Sequence, residues 1–253
     1  DEVEAKIQHY KKEGYNCRMR SALRTEEQLA GIRASAKINT ALLDYLSENI
    51  REGMSTAEID HMVYCFTTDH DAIPPPSCTK LPQKCVYQHQ RCSVPRIPST
   101  REFLKSGDIV NVDVSTIYKG YFADASRMFM IGEVSPDMQR LVQVTKECRD
   151  IGIQTAQPWA RLGESAAIQE HAEKNGYSVV RDLCGHGCGV KFHEEPDVEH
   201  FGKRGTGMLI VPGMTFTIEP MINMGSYEFI DEADGWTVCT DDGLPFCNGK
   251  AQI

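Results

Sequence analysis

Apolar residues recur at helical spacing from residue 29 onward. Leu29, Ile32, Ala36, Leu43, Leu46 and Ile50 trace one face, interrupted by Asn39. Thr25, with Gln28 three residues on, forms a capping box ahead of this run, and Gly53 stops it. Ser55 and Glu58 make a second capping box, predicting a helix to about residue 69. A similar scheme recurs further along. Ser135-Pro136-Asp137 supplies an N-cap and a proline at the first helical position, opening a helix to about residue 154. A break at Gln157-Pro158 and Gly163 precedes another helix over residues 164–175. Two helix–break–helix units, each followed by strand-like sequence, predict a duplicated architecture with two pseudo-symmetric halves.

Between the units the pattern switches to alternation. Ile109 to Val114 and Tyr121 to Ile131 read as strands joined at Tyr118-Lys119-Gly120. A hairpin symmetric about Tyr118 and Lys119 would set Asp113 directly opposite Asp124, with Cβ atoms about 4.5–5.5 Å apart. Asp113 lies among valines, where a carboxylate is costly unless paired or bound to a cation. Two acids that close require a proton or a cation between them. Further along, Gly185-His186-Gly187 frees an imidazole to face a cavity. Phe192-His193-Glu194-Glu195-Pro196 follows, and Glu219 ends the alternating run Thr215-Phe216-Thr217-Ile218. This ordered set of carboxylates and imidazoles suits divalent metals and metal-assisted hydrolysis.

The 253 residues supply enough apolar material for one large domain or two small ones. A net charge of -9 disfavours nucleic-acid binding through a basic face. No apolar run approaches the roughly 18 residues of a membrane span, and no signal peptide is evident. Ten cysteines, several in apolar or glycine-rich stretches, are expected to be reduced thiols of a cytoplasmic protein. Residues 1–24, polar and mixed in charge, are expected to form a weakly attached arm. Cys184 and Cys188 beside His186 raise a zinc–thiolate alternative that lacks a fourth ligand.

Several motifs together are more specific. Asn111-Val112-Asp113-Val114, Gly120-Tyr121-Phe122-Ala123-Asp124, Gly185-His186-Gly187, Phe192-His193-Glu194-Glu195-Pro196, Thr215-Phe216-Thr217-Ile218-Glu219-Pro220 and Asp234-Gly235-Trp236-Thr237 resemble type I methionine aminopeptidases. The resemblance covers most of residues 25–72 and 97–243. It implies an α+β, pita-bread fold: two pseudo-symmetric halves forming a curved antiparallel sheet backed by helices, in one catalytic domain over residues 25–253. It further implies Asp113, Asp124, His186 and Glu219 as ligands of two divalent ions (Mn, Fe, Co or Zn). A metal-bridging water would then hydrolyse the bond after an N-terminal methionine. His193 would stabilise the intermediate, Glu219 would accept the proton, and Phe192 and Trp236 would line the methionine pocket. The implied substrates are peptides and nascent chains, with the ribosome as a further partner of a monomeric enzyme. Two alternatives stand beside this reading: a prolidase-like peptidase, and an impaired pita-bread protein acting as a binding module.

Two stretches depart from the family pattern. Over residues 81–96 the expected catalytic His is absent, yet sixteen consecutive codons are compatible with a shifted frame. That frame reads Phe-Pro-Lys-Asn-Val-Cys-Thr-Ser-Ile-Asn-Asp-Val-Val-Cys-His-Gly. Compensating frameshifts are therefore expected to bracket residues 76–96, and the seven-residue recurrence of Cys78, Cys85 and Cys92 beside His89 is an accident of translation. Over residues 244–253 a second bridging Glu and a closing strand are missing, and Asn248-Gly249-Lys250 recodes as Gln-Trp-Glu. Peptide mass spectrometry checks the first stretch. A sequencing error in the gene predicts fragments with the shifted residues; tryptic fragments containing Tyr87-Gln88-His89-Gln90 would show that the chain is translated as written.

Overall fold

A computed structural model describes residues 2–74, 86–89, 92–96, 98–231 and 238–253, with residues 21, 86–89, 92–96 and 231 by backbone alone. Helix α1 (Glu2–Lys12) opens the chain. Its Ile7 is buried with Cys17, Leu23, Leu209 and Val211, and Val3, Tyr10 and Trp159 pack around them. The segment expected to be a weakly attached arm is thus seated by an apolar stripe. Three apolar residues at helical spacing, Val3, Ile7 and Tyr10, lie among the charged and polar residues of an 11-residue helix that masked them in the sequence.

Helices α2 (Glu26–Asn49) and α3 (Thr56–Asp69) begin at the two expected capping boxes, and both reciprocal hydrogen bonds of each box form. Strands β1 (Val86–His89) and β2 (Cys92–Arg96) precede the central hairpin of β3 (Ile109–Tyr118) and β4 (Tyr121–Met130). Val110, Val112 and Val114 alternate onto the face packed by Leu42, Leu43, Leu46, Ile59 and Val63 of the two helices. Asn111, Asp113 and Ser115 consequently share the opposite face. Asn39, the polar interruption in the α2 stripe, is 1% exposed. Its Nδ2 donates to the Val114 carbonyl at 2.8 Å and to Thr116 Oγ1 at 3.0 Å, fixing helix to hairpin.

The second half repeats the plan. Helices α4 (Pro136–Thr155) and α5 (Ala166–Lys174) are followed by short strands: β5 (Ser178–Val179), β6 (Gly185–Gly187), β7 (Glu194–Val198), β8 (Thr217–Ile218) and β9 (Met221–Asn223). Then come β10 (Phe229–Asp231), β11 (Val238–Thr240), β12 (Phe246–Asn248) and β13 (Ala251–Gln252). Leu141, Val144, Cys148 and Ile168 of the helices pack on Phe216, Ile218, Ile222 and Cys247. One six-stranded sheet runs β10-β11-β2-β1-β3-β4, with β12-β9-β5 and the pairs β13-β8 and β6-β7 beside it. Among the described residues all the paired strands are antiparallel.

Three expectations need correction. The hairpin turns on Lys119 and Gly120, both at positive φ (51° and 84°), not on Tyr118 and Lys119. That two-residue turn, left-handed at both positions, suits the strand twist. It shifts the register by two, so Asp113 pairs with Ser126 and Asp124 with Ser115, and the two acids are diagonal neighbours on one face. The C-terminal stretch does contribute a closing strand: β13 pairs Ala251 with Ile218 and Gln252 with Thr217. Finally, Cys239 is disulfide-bonded, whereas Cys17, Cys65, Cys148, Cys184, Cys188 and Cys247 are free thiols, as expected of them. Among the described residues no helix is long and apolar enough to cross a membrane.

Replacing Asn39 with Ala removes both contacts to β3 and leaves a void. A loss of about 2–3 kcal/mol in unfolding free energy is expected, measured by urea denaturation.

Candidate metal centre

The shared face of the hairpin is where the acids meet. Asp124 is 1% exposed, and its Oδ1 accepts from Ser115 Oγ at 2.7 Å. Glu219 leaves the end of β8 with its backbone N–H donating to His200 Nε2 at 3.1 Å and its Oε1 accepting from Thr217 Oγ1 at 2.5 Å. Burial pushes His200 down to about 3, so this imidazole is neutral and serves as an acceptor. His186 Nε2 lies 3.5 Å from Asp124 Oδ2 and 3.4 Å from Glu219 Oε1. The glycines around it are dictated by packing: a Cβ on Gly185 would fall 2.2 Å from the Thr217 carbonyl oxygen, and one on Gly187 2.3 Å from that of Glu195. Asp113, Asp124, His186 and Glu219 therefore converge on one point.

That point holds a cation already. Lys250 Nζ lies 2.8 Å from Asp113 Oδ2, 3.0 Å from Asp124 Oδ2 and 3.3 Å from Glu219 Oε2. The lysine is 7% exposed and delivered by the closing strand. Continuing the β8–β13 register by one residue sets Lys250 opposite Glu219. Its backbone is also held by β4: Ser126 N donates to the Lys250 carbonyl, and Lys250 N donates to Ser126 Oγ at 3.0 Å. Gln252, two residues on, accepts from Asp124 N through Oε1 at 3.0 Å.

Charge accounting explains the ionisation of the cluster. Burial works against the Lys250 ammonium, but Asp113, Asp124 and Glu219 outweigh it and hold the lysine well above its ordinary value. Asp124 is also opposed by burial. The Lys250 ammonium and the hydrogen bonds from His186 and Ser115 keep it well below the usual carboxylate range. Asp113 goes the other way, to about 7, because burial outweighs Lys250 and the neighbouring acids add to the rise. One ammonium does not neutralise three carboxylates, and Asp113 is the one left short. Its Oδ1 has no hydrogen-bond partner.

The donor set is that of a hard or borderline divalent cation. The arrangement does not fit one while the ammonium occupies the middle of the acids. Among the described residues no three His, Cys, Asp or Glu side chains are disposed to hold a metal ion. Burial raises Cys184 and Cys188, which opposes the thiolate form a zinc site would need.

Around the acids lies a partly aromatic wall. His193 is 4.3 Å from both His186 and Phe192, ring centre to ring centre, and Phe192 is 6.1 Å from Phe122. Burial and the His186 charge lower His193, leaving it neutral near pH 7. The N-terminal segment clamps the loop that carries these rings. Arg24 hydrogen-bonds Glu194, and Arg18 donates to the Glu195 carboxylate at 3.0 Å. Trp236 and residues 76–85 lie outside the described residues, and the side chains of the remainder of 76–96 do too. The sequence reading missed Lys250, Ser115, Thr217, His200 and Phe122. Strand parity was an available signal for two of them, since Ser115 and Thr217 stand two residues from an acid on the same face.

Residues 30–250 match the model of metallopeptidase family M24. Methionine aminopeptidase A of Synechocystis is 40% identical over 223 residues, covering 87% of this chain and 88% of the relative. The crystal structure of methionine aminopeptidase from Rickettsia prowazekii superposes with a TM-score of 0.88 at 38% identity, covering 91% of this chain and 94% of that one. Prolidase from Pyrococcus furiosus, at 20% identity and a TM-score of 0.71, shares the fold, and this chain covers 60% of it. The fold is the pita-bread fold expected from the sequence.

Proposed function

The chain belongs to metallopeptidase family M24, and from that premise we propose that it is a methionine aminopeptidase, a metal-dependent hydrolase that removes the N-terminal methionine. The observation that carries this reading is the convergence of Asp113, Asp124, His186 and Glu219 on one buried point beside an aromatic wall. These four are the residues proposed to hold divalent metal, two ions of Mn, Fe, Co or Zn, once the Lys250 ammonium has withdrawn. A carboxylate-rich set with one imidazole suits such ions.

The remaining roles follow from position. His193 is neutral and sits at the edge of the cluster, so it can donate a hydrogen bond to an oxygen that gains charge during hydrolysis. Glu219 is steered by Thr217 and by the His200 contact to its backbone, and its carboxylate is the proposed proton acceptor. Phe192, with Phe122 behind it, offers apolar surface for a methionine side chain, and Trp236 is the proposed second wall. Peptides and nascent chains with N-terminal methionine are the proposed substrates of a monomeric, cytoplasmic enzyme that meets them at the ribosome. The prolidase-like alternative has only fold-level support, at 20% identity or less.

The test is release of methionine from a Met-Ala-Ser peptide with added Mn or Co. Release is expected once the metal is in sufficient excess to displace the Lys250 ammonium, and His193→Ala is expected to lower kcat/KM about 100-fold to 1,000-fold. No release from protein that is folded by circular dichroism would instead support a binding role.

A further inference from the structure

We propose that Lys250 is a tethered cation that takes a metal's place in this site, so that the acid cluster closes without metal and admits it there only when the lysine withdraws. Three observations carry this. An ammonium has three N–H donors, and Lys250 Nζ has three carboxylates within 3.3 Å, a match that fills its coordination. The placement of residue 250 is fixed by its two hydrogen bonds with Ser126 and by the pairing of the next residue, Ala251, with Ile218 of β8. The side chain therefore enters the cluster because the strand delivers it there. Third, residue 250 is the position at which Asn248-Gly249-Lys250 recodes as Gln-Trp-Glu. The structure places that residue among the acids, so a Glu read there in the shifted frame would carry the opposite charge at the same point of the chain.

The consequences are electrostatic. A divalent ion at the same point would meet a positive charge where its donors expect none, and the repulsion is strong in a buried, weakly screened site. Removing the ammonium without adding metal leaves Asp113, Asp124 and Glu219 close together and uncompensated. Lys250 thus supports the apo fold and opposes metal loading through one set of contacts.

The inference rests on the reading above only for which residues hold the ion, and its readouts are binding and stability rather than peptide cleavage. Chelator-treated protein is titrated with Co(II), followed by its visible absorption, and melted with and without Mn(II). The chain as written is expected to bind Co(II) at least 100-fold more weakly than the Lys250→Glu variant. Its Tm is expected to be unchanged at Mn(II) concentrations that saturate the Lys250→Glu variant. Lys250→Met should melt several degrees lower without metal and recover with Mn(II), whereas Lys250→Arg, which keeps the charge, should behave as the unsubstituted chain. Equal Co(II) affinity in the unsubstituted chain and Lys250→Glu would overturn the proposal, as would an apo Tm unaffected by Lys250→Met or an Arg variant that behaves as the Met variant does. If these results come out as expected and no variant releases methionine, the aminopeptidase reading fails alone.

Discussion

The structure turns on how three buried carboxylates are kept together. Asp113, Asp124 and Glu219 come from the central hairpin and from β8, in different halves of the chain, and like charges at that proximity push both halves apart. The Lys250 ammonium is what opposes that repulsion. It reaches the acids because β13 pairs with β8 while Ser126 of β4 brackets residue 250. The closing strand is only two residues long, yet it anchors the residue just before it, Lys250, whose charge joins the halves at the site. Asp113 shows the limit of this device: burial outweighs the ammonium there and, with the neighbouring acids, pushes its carboxyl up to about 7.

Much of the scaffold was legible from local chemistry. The capping boxes at Thr25 and Ser55 and the proline at residue 136 mark helix starts because they satisfy or remove exposed N–H groups, which is a local matter. The valine alternation around Asp113 told which face was buried for the same reason. The hairpin register was not legible, since it depends on which two residues take positive φ, and Lys119 carries no outward sign of doing so. The helix at the N-terminus was hidden by its charges: three apolar residues suffice when they meet Leu209 and Val211, a contact made about 200 residues away in sequence.

The site shows the same division. Its acids and imidazoles stood out because charged groups in apolar or glycine-rich strands demand explanation. Residue 250 stood out only as the place of a missing Glu, and the inward course of the lysine itself was not legible, because a lysine is ordinarily a solvated side chain. Only the strand register reveals that it points inward. The membership in metallopeptidase family M24 and the occupied centre are therefore two facts about one set of residues. The fold is that of the family, and the four side chains proposed to hold metal surround a lysine ammonium.

The most direct measurement is anomalous diffraction from crystals of the unsubstituted protein grown with Mn(II). The account predicts continuous density for the Lys250 side chain among the three carboxylates and no manganese peak at its ammonium position. A manganese peak bridging Asp113, Asp124 and Glu219 with Lys250 still directed at them would contradict it.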